Sequence, residues 1–203
     1  MNKKAFAGLF VPIVLDALAF HFAKLDFRPM HHDEANQALK FGTLLEEGKY
    51  SYDKSDHHGP SLYYLTLPFA WVSTAKTLAE LSENTLRLVT TSFGLGTILL
   101  LLLFIPWLQR WGVFWSGLCL ALSPAVVYFS RFYIQETLLV FFLVGLIAAL
   151  WRYRLRPSWG WAAAAGLFAG MMYATKETAV VAFGALIFAL AGEFMLRLRQ
   201  ASG

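Results

Sequence analysis

Apolar residues fall in long unbroken runs along this chain, over roughly 5 to 23, 87 to 108, 112 to 129, 134 to 151, 159 to 175 and 178 to 196. Each run approaches the ~20 residues that a helix needs to cross ~30 Å of hydrocarbon. The pattern predicts an all-α, polytopic membrane bundle of about six transmembrane helices. A seventh stretch, 61 to 79, offers only about fifteen apolar or neutral residues before Lys76 and contains Pro68, which fits an interfacial or re-entrant helix better than a full span.

Charge decides the seventh stretch. Lys3 and Lys4 precede the first run, Arg152, Arg154 and Arg156 share a short loop, and Arg197 and Arg199 follow the last run. Basic loops favour the cytoplasm, and all three clusters fall there together only if 61 to 79 lies on the surface. The expected protein is one membrane domain over 1–203, with a long outer loop at about 24–86. Two short outer segments surround Arg131 to Glu136 and Lys176-Glu177. Eleven of the thirteen acids lie in these outer segments. Within the long loop, Asp33 to Glu47 reads as an amphipathic helix stopped by Gly48, with Ala35, Ala38, Leu39, Gly42 and Leu45 at helical spacing.

Composition agrees, with 58% apolar and only 15% charged residues. The net charge of +4 does not indicate nucleic acid, because the basic residues sit between apolar runs and form no continuous face. Cys119 is the only cysteine and falls inside a run, so no disulfide framework or cysteine metal site can form. The start, Met1-Asn2-Lys3-Lys4, reads as a signal peptide or an uncleaved first helix. Asp16 interrupts its core and favours the uncleaved helix over cleavage near Ala17-Leu18-Ala19. Trp107, Trp111, Trp115, Trp151, Trp159 and Trp161 read as interface anchors.

The densest polar cluster is His31-His32-Asp33-Glu34, followed in the same loop by Asp53, Asp56, His57 and His58. An acid at a helix N-terminus is held ionised, so Asp33 suits a base or an electrostatic anchor; it equally suits an ordinary N-cap. His31, His32, Asp33 and His57 are candidate ligands for a divalent metal, the one cofactor left open. Glu136 opens a span, where an acid must be paired or line a wet cavity, and Arg131 is a candidate partner. Lys176, beside Glu177 between two spans, can meet a lipid phosphate or snorkel to the headgroups. Asp16 and His21, costly in hydrocarbon, are expected to face the bundle.

Several motifs follow one another in order: His32-Asp33-Glu34-Ala35, His58-Gly59-Pro60-Ser61-Leu62-Tyr63-Tyr64-Leu65, Leu86-Arg87-Leu88, Leu122-Ser123-Pro124, Tyr128-Phe129-Ser130-Arg131-Phe132 and Thr175-Lys176-Glu177-Thr178. Over about residues 1 to 196 the chain resembles the N-terminal half of the GT-C glycosyltransferases, in the family 39 group of protein O-mannosyltransferases and aminoarabinose transferases. Within that group it is most similar to the flippase activity-associated proteins.

The resemblance implies transfer of a sugar from a polyprenyl-phosphate donor to a protein or glycolipid acceptor on the outer face of the cell (inner) membrane. It implies catalytic roles for Asp33 as base, its neighbour Glu34 and Glu136. It implies a donor-phosphate role for Lys176, joined by Arg131 and His58. Family members are usually longer, so a fragment or a shortened relative is expected. Prolines in many relatives stand where this chain has His58 and Gly59, so acceptor identity does not transfer. The rival expectation is a non-catalytic partner of a lipid-linked-sugar flippase. A small transporter fits less well, since it would keep acids within its spans and often show repeated halves.

Overall fold

The computed structural model describes residues 1–54 and 58–201. It is all-helical, in the order α1 (Lys3–Phe22), α2 (His32–Glu47), α3 (Ser61–Val72), α4 (Glu83–Leu100), α5 (Ile105–Leu122), α6 (Pro124–Ser130), α7 (Glu136–Leu155), α8 (Trp159–Tyr173) and α9 (Ala179–Ala201), with 3-10 turns at Leu78–Glu80 and Leu101–Phe104. Four stretches are long and apolar enough to cross a membrane: Lys3–Phe22, Glu83–Leu122, Glu136–Leu155 and Ala179–Gln200.

The six expected spans map onto these four by two physical effects. The 40-residue stretch is interrupted at Gln109, whose φ of 59° and ψ of 173° leave the helical region. Its chain reverses there into two legs. The fifth expected span, α8, has 15 residues and rises only about 22 Å, short of a full hydrocarbon width.

Side-chain contacts give the direction of every leg. Arg110 Nη1 donates to Met1 O at 3.0 Å, while His21 Nδ1 lies 2.8 Å from Ser130 Oγ, so α1 and α5–α6 run parallel between the same two ends. Trp107 stacks on Trp151, with centroids 4.9 Å apart, where α4's leg ends and α7 arrives. Arg152 lies over the Trp161 ring as α8 starts, and Arg154 pairs with Glu193 near the end of α9. Lys3, Lys4, Arg110, Arg152, Arg154, Arg156, Arg197 and Arg199 therefore gather at one end, here termed basic. The segments between α1 and α4, α6 and α7, and α8 and α9 gather at the other, the acidic end. With 12 residues, α3 is too short to cross, in line with an interfacial reading of 61 to 79.

Two apolar cores hold the legs together. One, near the basic end, packs Phe10, Ile13, Ile98, Val113 and Ala148 from α1, α4, α5 and α7. The other packs Phe41, Leu62, Val89, Leu138, Phe142 and Met172, seating the short α2 and α3 on α4, α7 and α8. On α1 the inward stripe is Phe6, Phe10, Ile13, Ala17 and His21, the 3-4 spacing of one helix face. Asp16 lies off that stripe and is exposed, which corrects the expectation that it faces the bundle; His21 does face inward.

Cysteine accessibility checks the leg directions. In a Cys119→Ser background, Pro157→Cys and Gln200→Cys should react with a membrane-impermeant maleimide from one side and Ser51→Cys from the other. Labelling of Ser51→Cys and Pro157→Cys from the same side would refute the fold.

Candidate functional site at the acidic end

The start of α2 organises the acidic end. His31 is its N-cap: Asp33 N donates to His31 Nδ1 at 3.3 Å, and His31 N donates to Glu34 Oε2 at 3.0 Å, a reciprocal capping box. This corrects the N-cap reading of Asp33, which stands two residues further on with an exposed side chain. Its Oδ2 lies 3.4 Å from His31 Nδ1. Gly48, at φ 68°, closes α2 by donating to Leu44 O, as the sequence predicts.

Glu34, about 100° further around the helix, is fully buried. It accepts five hydrogen bonds: two from Arg87, one from Arg28, and one each from the backbone of His31 and Tyr133, all within 3.0 Å. Burial alone raises a carboxyl pKa. Here the Arg87 guanidinium and then the two amides outweigh it and hold Glu34 below the usual carboxylate range. Arg87, 1% exposed, also donates to the carbonyls of Arg28 and Pro29 and to Glu83. The catalytic reading of Glu34 thus meets a carboxylate whose oxygens are already occupied, and the geometry gives it a positioning role.

A second polar layer lies one turn along α2. Gln37 Oε1 accepts from the Tyr63 hydroxyl and from Gln135 Nε2, and the Tyr133 hydroxyl bonds Thr66 at 2.8 Å. These groups join α2, α3 and the α6–α7 loop in a buried network. Asp33 occupies the same flank of α2 as Gln37, four residues away.

Beyond Gln135 comes Glu136, whose Oε1 receives Lys176 Nζ at 2.6 Å. Its Oε2 is buried with no hydrogen-bond partner among the described residues. Lys176 is set in place by backbone pairing. Gly59 N donates to Thr175 O and Ser61 N to Ala174 O, both at 3.0 Å, and Ser61 Oγ bonds Thr175 Oγ1 at 2.7 Å. His58 bridges Lys176 across this pairing, and its carbonyl accepts from Tyr50. A Cβ at Gly59 would lie 2.2 Å from Ala174 O, so the approach requires glycine.

An apolar groove of about 280 Å³ reaches Glu136 but not Lys176. It is lined by Thr97, Leu120, Phe129, Thr137 and Val140 among others, with Glu136 at its polar limit. Arg131 does not line it. Its Nη2 donates to Ala23 O and Lys24 O, capping the C-terminus of α1. Among the described residues no three His, Cys, Asp or Glu side chains gather as metal ligands. His32 Nε2 instead lies 3.2 Å from Asn36 Nδ2, and His57 is outside the described residues. Arg28, Gln37 and Gln135 carry the site without having been singled out in the sequence. Their partners lie up to 103 residues away, beyond any periodic signal.

Long apolar helices packed in one bundle, with an ion-paired polar layer at one end, define an integral membrane protein. A family model described as dolichyl-phosphate-mannose-protein mannosyltransferase matches residues 13–201. The chain belongs to that family of GT-C membrane glycosyltransferases. No curated protein matches it.

Removing one partner of the buried pair should be costly. Arg87→Ala is expected to destabilise the protein by about 3–5 kcal/mol, read from thermal unfolding in detergent. Because Glu34's folded pKa lies below its unfolded value near 4.5, its stabilisation is present above that pH and lost as pH falls through the folded value. Glu34→Gln should therefore lower stability at neutral pH and flatten its decline in acid. A variant retaining the full acid slope would remove Glu34 as the cause.

Proposed function

We propose that the chain transfers a sugar from a polyprenyl-phosphate carrier to a hydroxyl acceptor at the acidic end, which faces away from the cytoplasm. The orientation follows from the basic residues collected at the other end. What carries the reading is the apolar groove that reaches Glu136, the ion-pair partner of Lys176, at the same end of the bundle as the exposed Asp33. Part of a prenyl chain lying in the groove would bring its phosphate toward Glu136 and, through it, Lys176.

In the proposed step Asp33 takes the acceptor hydroxyl proton, and the acceptor oxygen forms a bond to the anomeric carbon. The bond from that carbon to the phosphate oxygen breaks, and its electron pair stays on the polyprenyl phosphate. Lys176 meets the charge that develops there. Glu136 orients Lys176 through Oε1 and offers its unpartnered Oε2 to a sugar hydroxyl. His58 supports Lys176 from the paired backbone. Glu34 fixes the helix start that presents Asp33. Mannose is the first sugar to test, given the family description.

Purified full chain, supplied with a polyprenyl-phosphate hexose and a peptide or glycolipid acceptor, should give transfer that Asp33→Asn lowers by ~10²-fold or more, with helix content unchanged. Wild-type turnover in Asp33→Asn would end its role as base. Lys176→Ala should weaken donor-phosphate binding by about 1–3 kcal/mol. Donor binding without any turnover in the wild type would favour a carrier-binding protein over a transferase.

A further inference from the structure

A second cationic recess lies on the other side of α6. It is formed by Leu25, Phe27, Arg28, Tyr128 and Arg131, has a volume of about 170 Å³, and shares no lining residue with the groove that ends at Glu136. Arg28 lies 3.7 Å above the Phe132 ring, and its Nη2 is engaged by Glu34. Arg131 spends its Nη2 on the end of α1. The remaining Nε and Nη1 donors of both arginines have no protein partner among the described residues.

Positive charge here lacks a counter-charge. Glu34 is saturated by its five donors, and Asp26, exposed in the same loop, makes no ion pair with either arginine among the described residues. Burial first, then the Arg28 and Arg87 charges, lowers Arg131 from its ordinary pKa. Lys24 stands beside them at a positive φ of 48°.

The level of the recess selects the anion. It opens just past the last residues of α1 and α6, where the apolar legs end and headgroups begin. Phe27 is 82% exposed and Tyr128 is half-exposed beside it, as aromatic residues at a membrane interface are. Each arginine keeps Nε and Nη1 donors that can reach a phosphate oxygen singly, and two such cations in one small recess suit a phosphate.

We propose that the Arg28–Arg131 recess binds the phosphate of a membrane lipid, at a site separate from the donor position at Lys176. Such a lipid would hold the α1–α2 loop and the α6 end together from outside, next to the capping box that presents Asp33. A bilayer phospholipid and a polyprenyl phosphate carry the same group, and the site does not depend on transfer chemistry.

The test is lipid titration of the purified full chain in neutral detergent, followed by native mass spectrometry. The probes are phosphatidylglycerol, a polyprenyl phosphate and inorganic phosphate. Tyr128→Glu sets a negative charge in the recess without removing any of the five donors to Glu34, so it tests the site even if the double variant Arg28→Gln/Arg131→Gln fails to fold. Both should weaken lipid binding about 10-fold or more, the loss of one or two charge-assisted hydrogen bonds. Lys176→Ala should leave phosphatidylglycerol binding unchanged.

Retention of phosphatidylglycerol identifies a bilayer lipid as occupant; retention of polyprenyl phosphate alone, still sensitive to Tyr128→Glu, identifies the carrier. Wild-type lipid affinity in Tyr128→Glu, lipid binding lost only in Lys176→Ala, or inorganic phosphate binding as tightly as either lipid would overturn the proposal. Unchanged polyprenyl phosphate binding in Lys176→Ala, with phosphatidylglycerol still held at the recess, would instead defeat the donor reading alone.

Discussion

The acidic end depends on one constraint: the Glu34 carboxylate and the Arg87 guanidinium are both buried, so every remaining donor and acceptor on them must find a partner. Those partners are supplied by four separate pieces of chain. Arg87 is carried by α4 and reaches the carbonyls of the loop after α1. Glu34 is carried by α2 and receives the amide of Tyr133 from the loop before α7. A pair that gains little over hydrophobic packing in energy thereby fixes how segments distant in sequence meet. With only 16 residues and one apolar face, α2 would otherwise be free to rotate or slide on the bundle.

From this anchor the geometry propagates along the α6–α7 loop. Tyr133 on Glu34, Gln135 on Gln37 and Glu136 on Lys176 follow one another, so the loop is laid against α2 and then against the α8–α9 turn. The second attachment is backbone pairing between the segment before α3 and Thr175, made possible by the missing side chain at Gly59. Lys176 is thus held from two sides, by an acid and by the strand-like pairing at His58. A cation so placed loses little entropy on meeting an anion, which suits charge stabilisation more than snorkelling.

Much of this was legible in the sequence, and the limits have physical causes. The apolar runs, the basic clusters and the surface α2 followed from hydropathy and the positive-inside pattern, because each is a local property. The short α8 and the turn at Gln109 obscured span counting in the structure more than in the sequence. The sequence could name Asp33, Glu34, Glu136 and Lys176 but could not say which were free. Asp16 misled because a helix of nearly uniform hydrophobicity carries no signal for which face is inward. Pairing of Glu34 with Arg87, 53 residues away, leaves no periodic trace.

Adjacent acids on α2 show why exposure assigns the roles. Asp33 and Glu34 differ by one methylene and by about 100° around the helix axis. That rotation takes Glu34 into a pocket with five donors, where protonation would break a network joining four segments, so its proton affinity is spent on structure. Asp33 stays in contact with solvent beside His31, as the proposed role of base requires. A base must change protonation state during turnover without loosening its own support. The capping box gives that separation: it ties the helix start through Glu34, His31 and the Asp33 amide and leaves the Asp33 carboxylate outside the box.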